Sequence, residues 1–444
     1  MIDLSPEFVT IAMFGMVIAG LFLGHPVAWV LGGTAAIFAF VGWGPQGWYL
    51  FLGRAFDSTT NNILIAIPLF VLMAAFLTQS KISEGLFEGM MYLFGPLNGG
   101  IALAVIVMCA VEAACTGIVG ASVVSMTIMA IPVMMKNGYD KRMACGTVAA
   151  GGVLSILIPP SIMLVMMADQ AGVSVGKLFA GAFIPGLILT ALFFMYVLVR
   201  TWLNPNLGPA LPLEVRSALT VKQKTALLLK NLIPPLALIF GVLGTVWTGL
   251  ATATEAAGVG CLVAIALVIC YGKFSWKLLK ECVWSAGKTS CMVMTILFCA
   301  SIFTGVFLGL GGGQVVTDVI MYFDFLGKWG LFAVMMFVIF ALGFVIDWIA
   351  IIYITLPIFL PIAVGLGFSK LWFLIMMAVN LQTSFLSPPF GYALFYMKTT
   401  VPKEIKLIDI YYAVIPFVII QLIGLTICAF FPDLATYLPD KFVK

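Results

Sequence analysis

Ala149-Ala150-Gly151-Gly152-Val153-Leu154-Ser155-Ile156-Leu157-Ile158-Pro159-Pro160-Ser161 is an apolar run, long enough to be helical, that stops at two consecutive prolines. Its partner is Val379-Asn380-Leu381-Gln382-Thr383-Ser384-Phe385-Leu386-Ser387-Pro388-Pro389-Phe390-Gly391, whose prolines stand 229 residues further on. The same offset carries Ile131-Pro132, Gly138, Tyr139 and Lys141 onto Leu360-Pro361, Gly367, Phe368 and Lys370. It also carries Gly20-Leu21 onto Gly249-Leu250, so one register holds without a gap over about 140 residues. Duplicated halves with helix-breaking segments at matched places, in a very hydrophobic chain, are the pattern of a secondary transporter whose site lies between the halves.

Composition gives the class independently. The chain is 63% hydrophobic and 9% charged over 444 residues, with a mean hydropathy of +1.17. A soluble chain of this length needs more charge on its surface. Apolar runs of about 20 residues recur, each able to cross ~30 Å of hydrocarbon, which makes the lipid bilayer the chain's first partner. The net charge of +4 is spread over many loops and gives no footprint for nucleic acid. A single histidine, His25, excludes multi-histidine metal chemistry and the HExxH type of intramembrane enzyme. The nine cysteines stand apart in apolar segments without a CxxC pair, which suits packing and not a disulfide framework. The first eight residues carry acid and no base, unlike a secretory leader, so the first apolar segment is expected to be retained.

Positive charge orients the path. Basic stretches at 136–142, 200–230, 273–280 and 398–406 are placed in the cytoplasm. Spans near 9–25, 28–43, 60–80, 143–168 and 182–201 then make a first half, residues 1–201, beginning outside. Residues 202–230, with Pro205, Pro209 and Pro212, form a cytoplasmic linker. The second half, 231–444, has spans near 231–249, 256–272, 288–308, 371–397 and 411–431. On this path 16 of 22 Lys and Arg lie inside, and five spans per half invert the second copy relative to the first.

Two apolar segments, about 99–135 and 328–363, must each begin and end on one side, and read as re-entrant hairpins. Near their middles stand Glu112, Thr116, Gly117, Gly120 and Ser122, and Gly343, Asp347 and Thr355. A pair of ordinary spans with a small-residue packing face is the simpler alternative for the same residues. Beside each hairpin comes a broken helix, 143–168 and 371–397. Proline lacks an N–H and frees carbonyls one turn earlier, although a plain kink is the alternative for either segment alone. Freed carbonyls with nearby hydroxyls make oxygen cages suited to Na+, and half-helix N-termini suit an anion. The expected first Na+ site is Thr116, Gly117, Ser122, Gly152 and Ser155. The second is Gly343, Asp347, Asn380 and Thr383. Substrate is expected between them, near Thr116, Gly120, Ser122, Ser161, Asp347, Ser387 and Pro388.

Carboxylates at membrane depth cost ~2.5–3.5 kcal/mol on insertion scales and are functional candidates by default. Asp347 is therefore read as an ionic ligand, with a helix N-cap as its alternative. Glu112 is weighed against a satisfied packing carboxylate. Glu255 reads as a capping residue, and His25 beside Pro26 as an interface residue with no role. The four arginines, Arg54, Arg142, Arg200 and Arg216, all sit near membrane boundaries, so none is assigned to hold an anion.

At specific stretches the chain resembles a known family. These are Ala66-Ile-Pro-Leu-Phe-Val-Leu-Met73, Gly120-Ala-Ser122, Ile158-Pro-Pro-Ser161, Ser174-Val-Gly-Lys-Leu-Phe-Ala-Gly181, Thr252-Ala-Thr-Glu-Ala-Ala257 and Asn380-Leu-Gln382. Together they resemble the DctM-like large membrane subunit of TRAP (tripartite ATP-independent periplasmic) transporters, over essentially the whole chain. Ala253 replaces the usual proline of the Thr-Pro-Thr-Glu motif. The resemblance implies an all-α polytopic protein of the ion-transporter superfamily, in a bacterial inner membrane, working as an elevator. It further implies Na+ symport of a small organic anion (carboxylate, 2-oxoacid or sulfonate), a small four-helix membrane subunit and a periplasmic substrate-binding protein. In the elevator, 99–169 and 328–398 are expected to move together, with Trp29, Trp43 and Trp48 as interfacial anchors on the fixed part. A single-component carrier of the same superfamily, working without a binding protein, is the alternative.

The topology predicts that a lone cysteine at Lys222 stays unmodified by a membrane-impermeant maleimide in intact cells and reacts once they are lysed. Labelling in intact cells would reverse the orientation.

Overall fold

A computed structural model describes residues 5–80, 82–217, 220–389 and 391–443, and among these the regular structure is entirely helical. Nine helices are long and apolar enough to cross a membrane among the described residues. Trp276–Gly309 has 34 residues, about 51 Å at 1.5 Å per residue, so it outruns ~30 Å of hydrocarbon. That surplus places Lys277 and Lys280, expected in a loop, in its first turns. The broken helices are also observed. The first runs Lys141–Val153, a 3-10 turn Leu154–Ile156, then Ile162–Ala171. The second runs Lys370–Leu386, then Tyr392–Lys398.

Helix starts follow local hydrogen-bonding chemistry. The Thr252 hydroxyl accepts from Glu255 N–H at 3.3 Å while the Glu255 carboxylate accepts from Thr252 N–H at 2.8 Å, a reciprocal cap. Glu255 is thus a capping residue, as its spacing suggests. Thr220 and Gln223 form the same box and start Val221–Trp247 ten residues before the expected span. The linker is correspondingly short. It carries the turn Pro205–Leu207 and the helix Leu213–Ser217, strapped to neighbouring ends by Gly99 N–H to Gly208 O at 2.7 Å and Leu211 N–H to Gly95 O at 3.0 Å. Trp48–Thr60, Ile82–Phe94 and Gly312–Met321 are further helices in stretches to which the sequence reading assigned no span.

Both segments expected to be hairpins have helix–break–helix geometry, which a pair of spans would share; Val119–Lys136 and Trp348–Gly365 are among the nine helices long enough to cross. The first is Gly100–Thr116 and Val119–Lys136, turning at Gly117 with φ +60°. The second is Gly327–Leu342 and Trp348–Gly365. The offset of 229 residues carries Val119–Lys136 onto 348–365, the bounds of its counterpart, and Gly138 at φ +76° onto Gly367 at φ +78°. Element order therefore repeats along the chain. The peptide bonds Pro159-Pro160 and Pro388-Pro389 are both cis.

The two halves are joined in the interior. Lys141–Val153 packs against Leu407–Phe430, and Val175–Leu203 packs against Gly100–Thr116, Lys370–Leu386 and Leu407–Phe430. Lys141 Nζ bonds Asp409 at 2.8 Å across this joint. At Gly146 the approach is closest: a Cβ there would overlap the Ala413 carbonyl oxygen and stand 2.7 Å from the Phe417 ring. Trp276–Gly309 packs against Val27–Trp43 and Ala66–Gln79, and Ala253–Cys270 also lies on Ala66–Gln79.

Gly146→Ala is expected to destabilise the purified protein by about 1–3 kcal/mol through overpacking. Gly287→Ala, where a Cβ meets open space, should be neutral or slightly stabilising through helix propensity. Thermal unfolding of the two variants side by side reads this; equal midpoints would contradict the packing.

Candidate functional site

The hairpin tips and helix breaks meet in pairs. At the first, a Cβ on Gly117 would lie 3.2 Å from Ile162 N, 3.3 Å from Pro160 O and 3.4 Å from Ser161 Cα. The tip therefore lies directly on the break, backbone to backbone. One turn away Gly152 faces the second hairpin arm, where a Cβ would overlap the Val123 side chain. At the second, a Cβ on Gly343 would overlap Ser384 Oγ and stand 2.5 Å from its Cβ. Glycine is what lets each backbone come this close.

Hydroxyls line both breaks. Ser155 Oγ donates to Gly152 O at 2.8 Å, and Ser161 Oγ donates to Ile156 O at 2.6 Å. In the second half Thr383 donates to Val379 O at 3.0 Å, Ser384 to Leu381 O at 2.8 Å and Ser387 to Thr383 O at 2.8 Å. Pro160 has no N–H to give Ile156, so Ser161 supplies the missing donor. A hydroxyl whose proton is committed to a carbonyl keeps lone pairs for another electrophile. That donor set, neutral hydroxyls and carbonyls in a fully buried place, fits a monovalent hard cation. Ser155, Ser161, Thr383 and Ser384 are all fully buried.

The expected site residues divide accordingly. Gly117, Gly152, Ser155 and Ser161 cluster at the first break, with Ser122 buried beside Val123. Thr116 ends its helix, and its side chain lies outside what the structure describes. Phe390, quoted with the second break, also lies outside the described residues. Gly120 is elsewhere: the Tyr396 ring, from the other half, lies 3.1 Å from where its Cβ would stand. Asn380 and Thr383 are at the second break, but Asn380 Nδ2 is bound to Met336 O at 2.6 Å, bracing the hairpin arm to the helix. Asp347 is a helix N-cap, accepting from Ile349 N–H at 3.3 Å, near Tyr392 and Tyr396. No described hydrogen bond joins it to Asn380 or Thr383. Ser387 is buried, and Pro388 is half-buried beside it. Glu112 is buried in the first hairpin, with Ser125 of the opposite arm as a neighbour.

Two features escaped the sequence reading. Ser384, the residue under Gly343, is Ser155 displaced by the repeat offset of 229, so the register itself contained the signal. Tyr392 and Tyr396 cover the tips, Tyr392 donating to Val345 O at 3.4 Å; only tertiary packing reveals them. A cavity of about 330 Å³ opens beside this tip, between Val345 and Tyr392 and the turn holding His25.

Comparison with known proteins agrees with this architecture. Residues 14–434 match the family described as tripartite ATP-independent periplasmic transporter, DctM component. A C4-dicarboxylate TRAP transporter large permease from Pseudomonas aeruginosa is 31% identical over 87% of this chain and 88% of its own length. An isethionate TRAP transporter permease from Oleidesulfovibrio alaskensis is 28% identical over 96% of this chain and 65% of its own. Among solved structures, the YdaH transporter of Alcanivorax borkumensis shares the fold, with a TM-score of 0.61 at 12% identity over 96% of this chain and 99% of that one.

Gly343→Ala should lower the thermal midpoint, because the added methyl overlaps Ser384, at a cost of about 1–3 kcal/mol. Ser384→Gly in the same chain should recover part of the loss. An unchanged midpoint in the single variant, or no recovery in the double, would contradict the contact.

Proposed function

The chain belongs to the DctM component family of tripartite ATP-independent periplasmic transporters, and on that premise we propose that it is the large permease of a binding-protein-dependent Na+ symporter. Its substrate is a small organic anion, a carboxylate or sulfonate, as the names of relatives at 31% and 28% identity suggest. It works in the bacterial inner membrane with a small membrane subunit and a periplasmic binding protein. The exposed Trp29 and Trp48 lie on the side proposed to stay fixed and to receive that subunit.

The observation that carries the proposal is the pairing of each glycine tip with a serine-lined break, Gly117 on Ser161 and Gly343 on Ser384. Ser155 with the Gly117 tip would hold one Na+, and Ser384, Thr383 and the Gly343 tip the other. Bound Na+ would supply the positive charge that an anion needs where no arginine is placed. The breaks also present half-helix N-termini, at Ile162 and Tyr392, towards an anion.

An elevator motion is supported by how the hairpins and breaks are held. The second hairpin arm packs on Ile162–Ala171 and the first on Tyr392–Lys398, each against the other half. The moving body is best drawn to include Val175–Leu203 and Leu407–Phe430, which pack into the same group. This extends the 99–169 and 328–398 body expected from sequence. The cavity between the second tip and the His25 turn, which positive charge places at the cytoplasmic face, would then be the exit of an inward-facing state.

Uptake in proteoliposomes containing the permease, its small subunit and loaded binding protein should require Na+, with a Hill coefficient above one. Ser155→Ala and Ser384→Ala should each raise the Na+ concentration for half-maximal uptake several-fold and reduce that coefficient. Uptake unchanged when choline replaces Na+ at fixed pH would rule out the Na+ sites.

A further inference from the structure

One cavity belongs to neither break. It measures about 290 Å³ and lies where Lys141–Val153 begins, Val175–Leu203 ends and Leu407–Phe430 begins. Arg142, Arg200, Tyr196 and Tyr412 surround it, and Pro416 and Phe417 form an apolar floor. The groups are oriented. Arg200 lies beside Tyr196 one turn along the same helix, and the Arg142 guanidinium lies 5.2 Å over the Tyr412 ring. Tyr196 meets Phe417 edge-on at 5.0 Å between centroids.

The charges nearest to it are already committed, the two arginines excepted. Asp140, which also lines the cavity, accepts from Arg142 N–H at 2.9 Å and Met143 N–H at 3.1 Å at the start of its own helix. Lys141 is paired with Asp409 at 2.8 Å. Neither Arg142 nor Arg200 has a carboxylate within ion-pair distance among the described residues. Two guanidiniums and one capped carboxylate leave a net charge of one positive unit, which matches a phosphodiester better than a dianion. Exposed Met195, Val199, Ile415 and Ile419 lie on the two helices next to the lining residues Tyr196, Arg200, Tyr412 and Pro416, and exposed Trp202 ends the first of them. Aromatic and cationic residues at the ends of apolar helices mark headgroup depth.

We propose that this cavity binds the phosphodiester headgroup of an anionic phospholipid, with Arg142 and Arg200 clasping the phosphate. The acyl chains follow the apolar surface of Val175–Leu203 and Leu407–Phe430. A basic pocket between helices at the cytoplasmic face is the setting in which such headgroups are held. The guanidinium fork matches phosphate oxygens in pairs. The lipid would thereby add a bridge between the ends of three segments that already pack together. The cavity shares no residue with either break, so a lipid held there is independent of the Na+ and substrate sites.

Native mass spectrometry of the purified full-length protein tests it, with phosphatidylglycerol, phosphatidylcholine or inorganic phosphate as the probe. Phosphatidylglycerol should stay bound under activation that strips phosphatidylcholine. Arg142→Gln with Arg200→Gln should weaken it about 30-fold, at roughly one charge's worth of binding per arginine. Lys277→Gln with Lys280→Gln, in another basic stretch, should leave it unchanged, and Arg142→Lys with Arg200→Lys should retain most of it. In thermal unfolding, phosphatidylglycerol should raise the midpoint of the wild type and not of the double glutamine variant, which separates lost binding from misfolding. Equal retention by the wild type and the glutamine variant would overturn the site. Displacement of the lipid by millimolar inorganic phosphate would overturn the lipid assignment in favour of a free anion.

Discussion

Backbone groups at membrane depth have no water to bond, and each one left unpaired costs several kcal/mol. The rest of this structure depends on how that constraint is met at its two helix breaks. Pro160 withdraws a donor from the Ile156 carbonyl, and Ser161 Oγ replaces it at 2.6 Å. In the second half the carbonyl that Pro388 leaves without a donor, Ser384 O, accepts from Ser387 N–H at 3.2 Å, and Ser387 Oγ then donates to Thr383 O at 2.8 Å. Hydroxyls are the cheapest local replacement for a lost N–H, and they leave oxygen lone pairs facing inward. Satisfying the break and preparing an oxygen-lined site are therefore a single act, which is why serine and not alanine stands at these places.

Proline alone does not break a helix here. Pro234-Pro235 sit inside Val221–Trp247, which continues through them. The carbonyl of Lys230, one turn earlier, receives the Tyr271 hydroxyl from the neighbouring helix. At Lys230 the donor comes from a neighbouring helix and the helix continues, whereas at the first break it comes from Ser161, within the turn that leaves the helix. The Pro-Pro dipeptide by itself therefore does not decide whether a helix is interrupted.

This explains how far the sequence was legible. The repeat located both helix–break–helix segments, expected near 99–135 and 328–363 and observed at 100–136 and 327–365, because apolar length and glycine placement are local properties. Helices at 48–60, 82–94 and 312–321 were missed because they are too short or too amphipathic to register as spans. The first break was legible in Gly152, Ser155 and Ser161. The second was only half so: Asn380 braces Met336, Asp347 caps its own helix, and Ser384 holds the place the offset assigns. A single sequence orders residues along a helix but does not say which face meets which neighbour. Tyr396 over Gly120, contributed by the opposite half, shows that limit most clearly.

Crosswise packing also constrains motion. Each hairpin leans on its own break through a glycine tip and on the other half's distal helix segment through its second arm. Moving either half alone would separate Tyr396 from Gly120 and pull Lys141 from Asp409, exposing buried surface and a charge pair together. The cheaper displacement keeps those contacts and slides the whole group against the peripheral helices. Contacts between that group and the periphery combine hydrogen bonds, Asn61 Nδ2 to Asp169 at 2.7 Å and Thr304 Oγ1 to Tyr353 O at 2.9 Å, with apolar packing of Trp348–Gly365 on Trp276–Gly309, of Gly100–Thr116 on Ile82–Phe94 and of Phe179 on Phe70. Any displacement of the group would exchange that apolar packing for packing of a similar kind further along the peripheral helices, while the glycine contacts around the two breaks, which allow no such slippage, stay as they are.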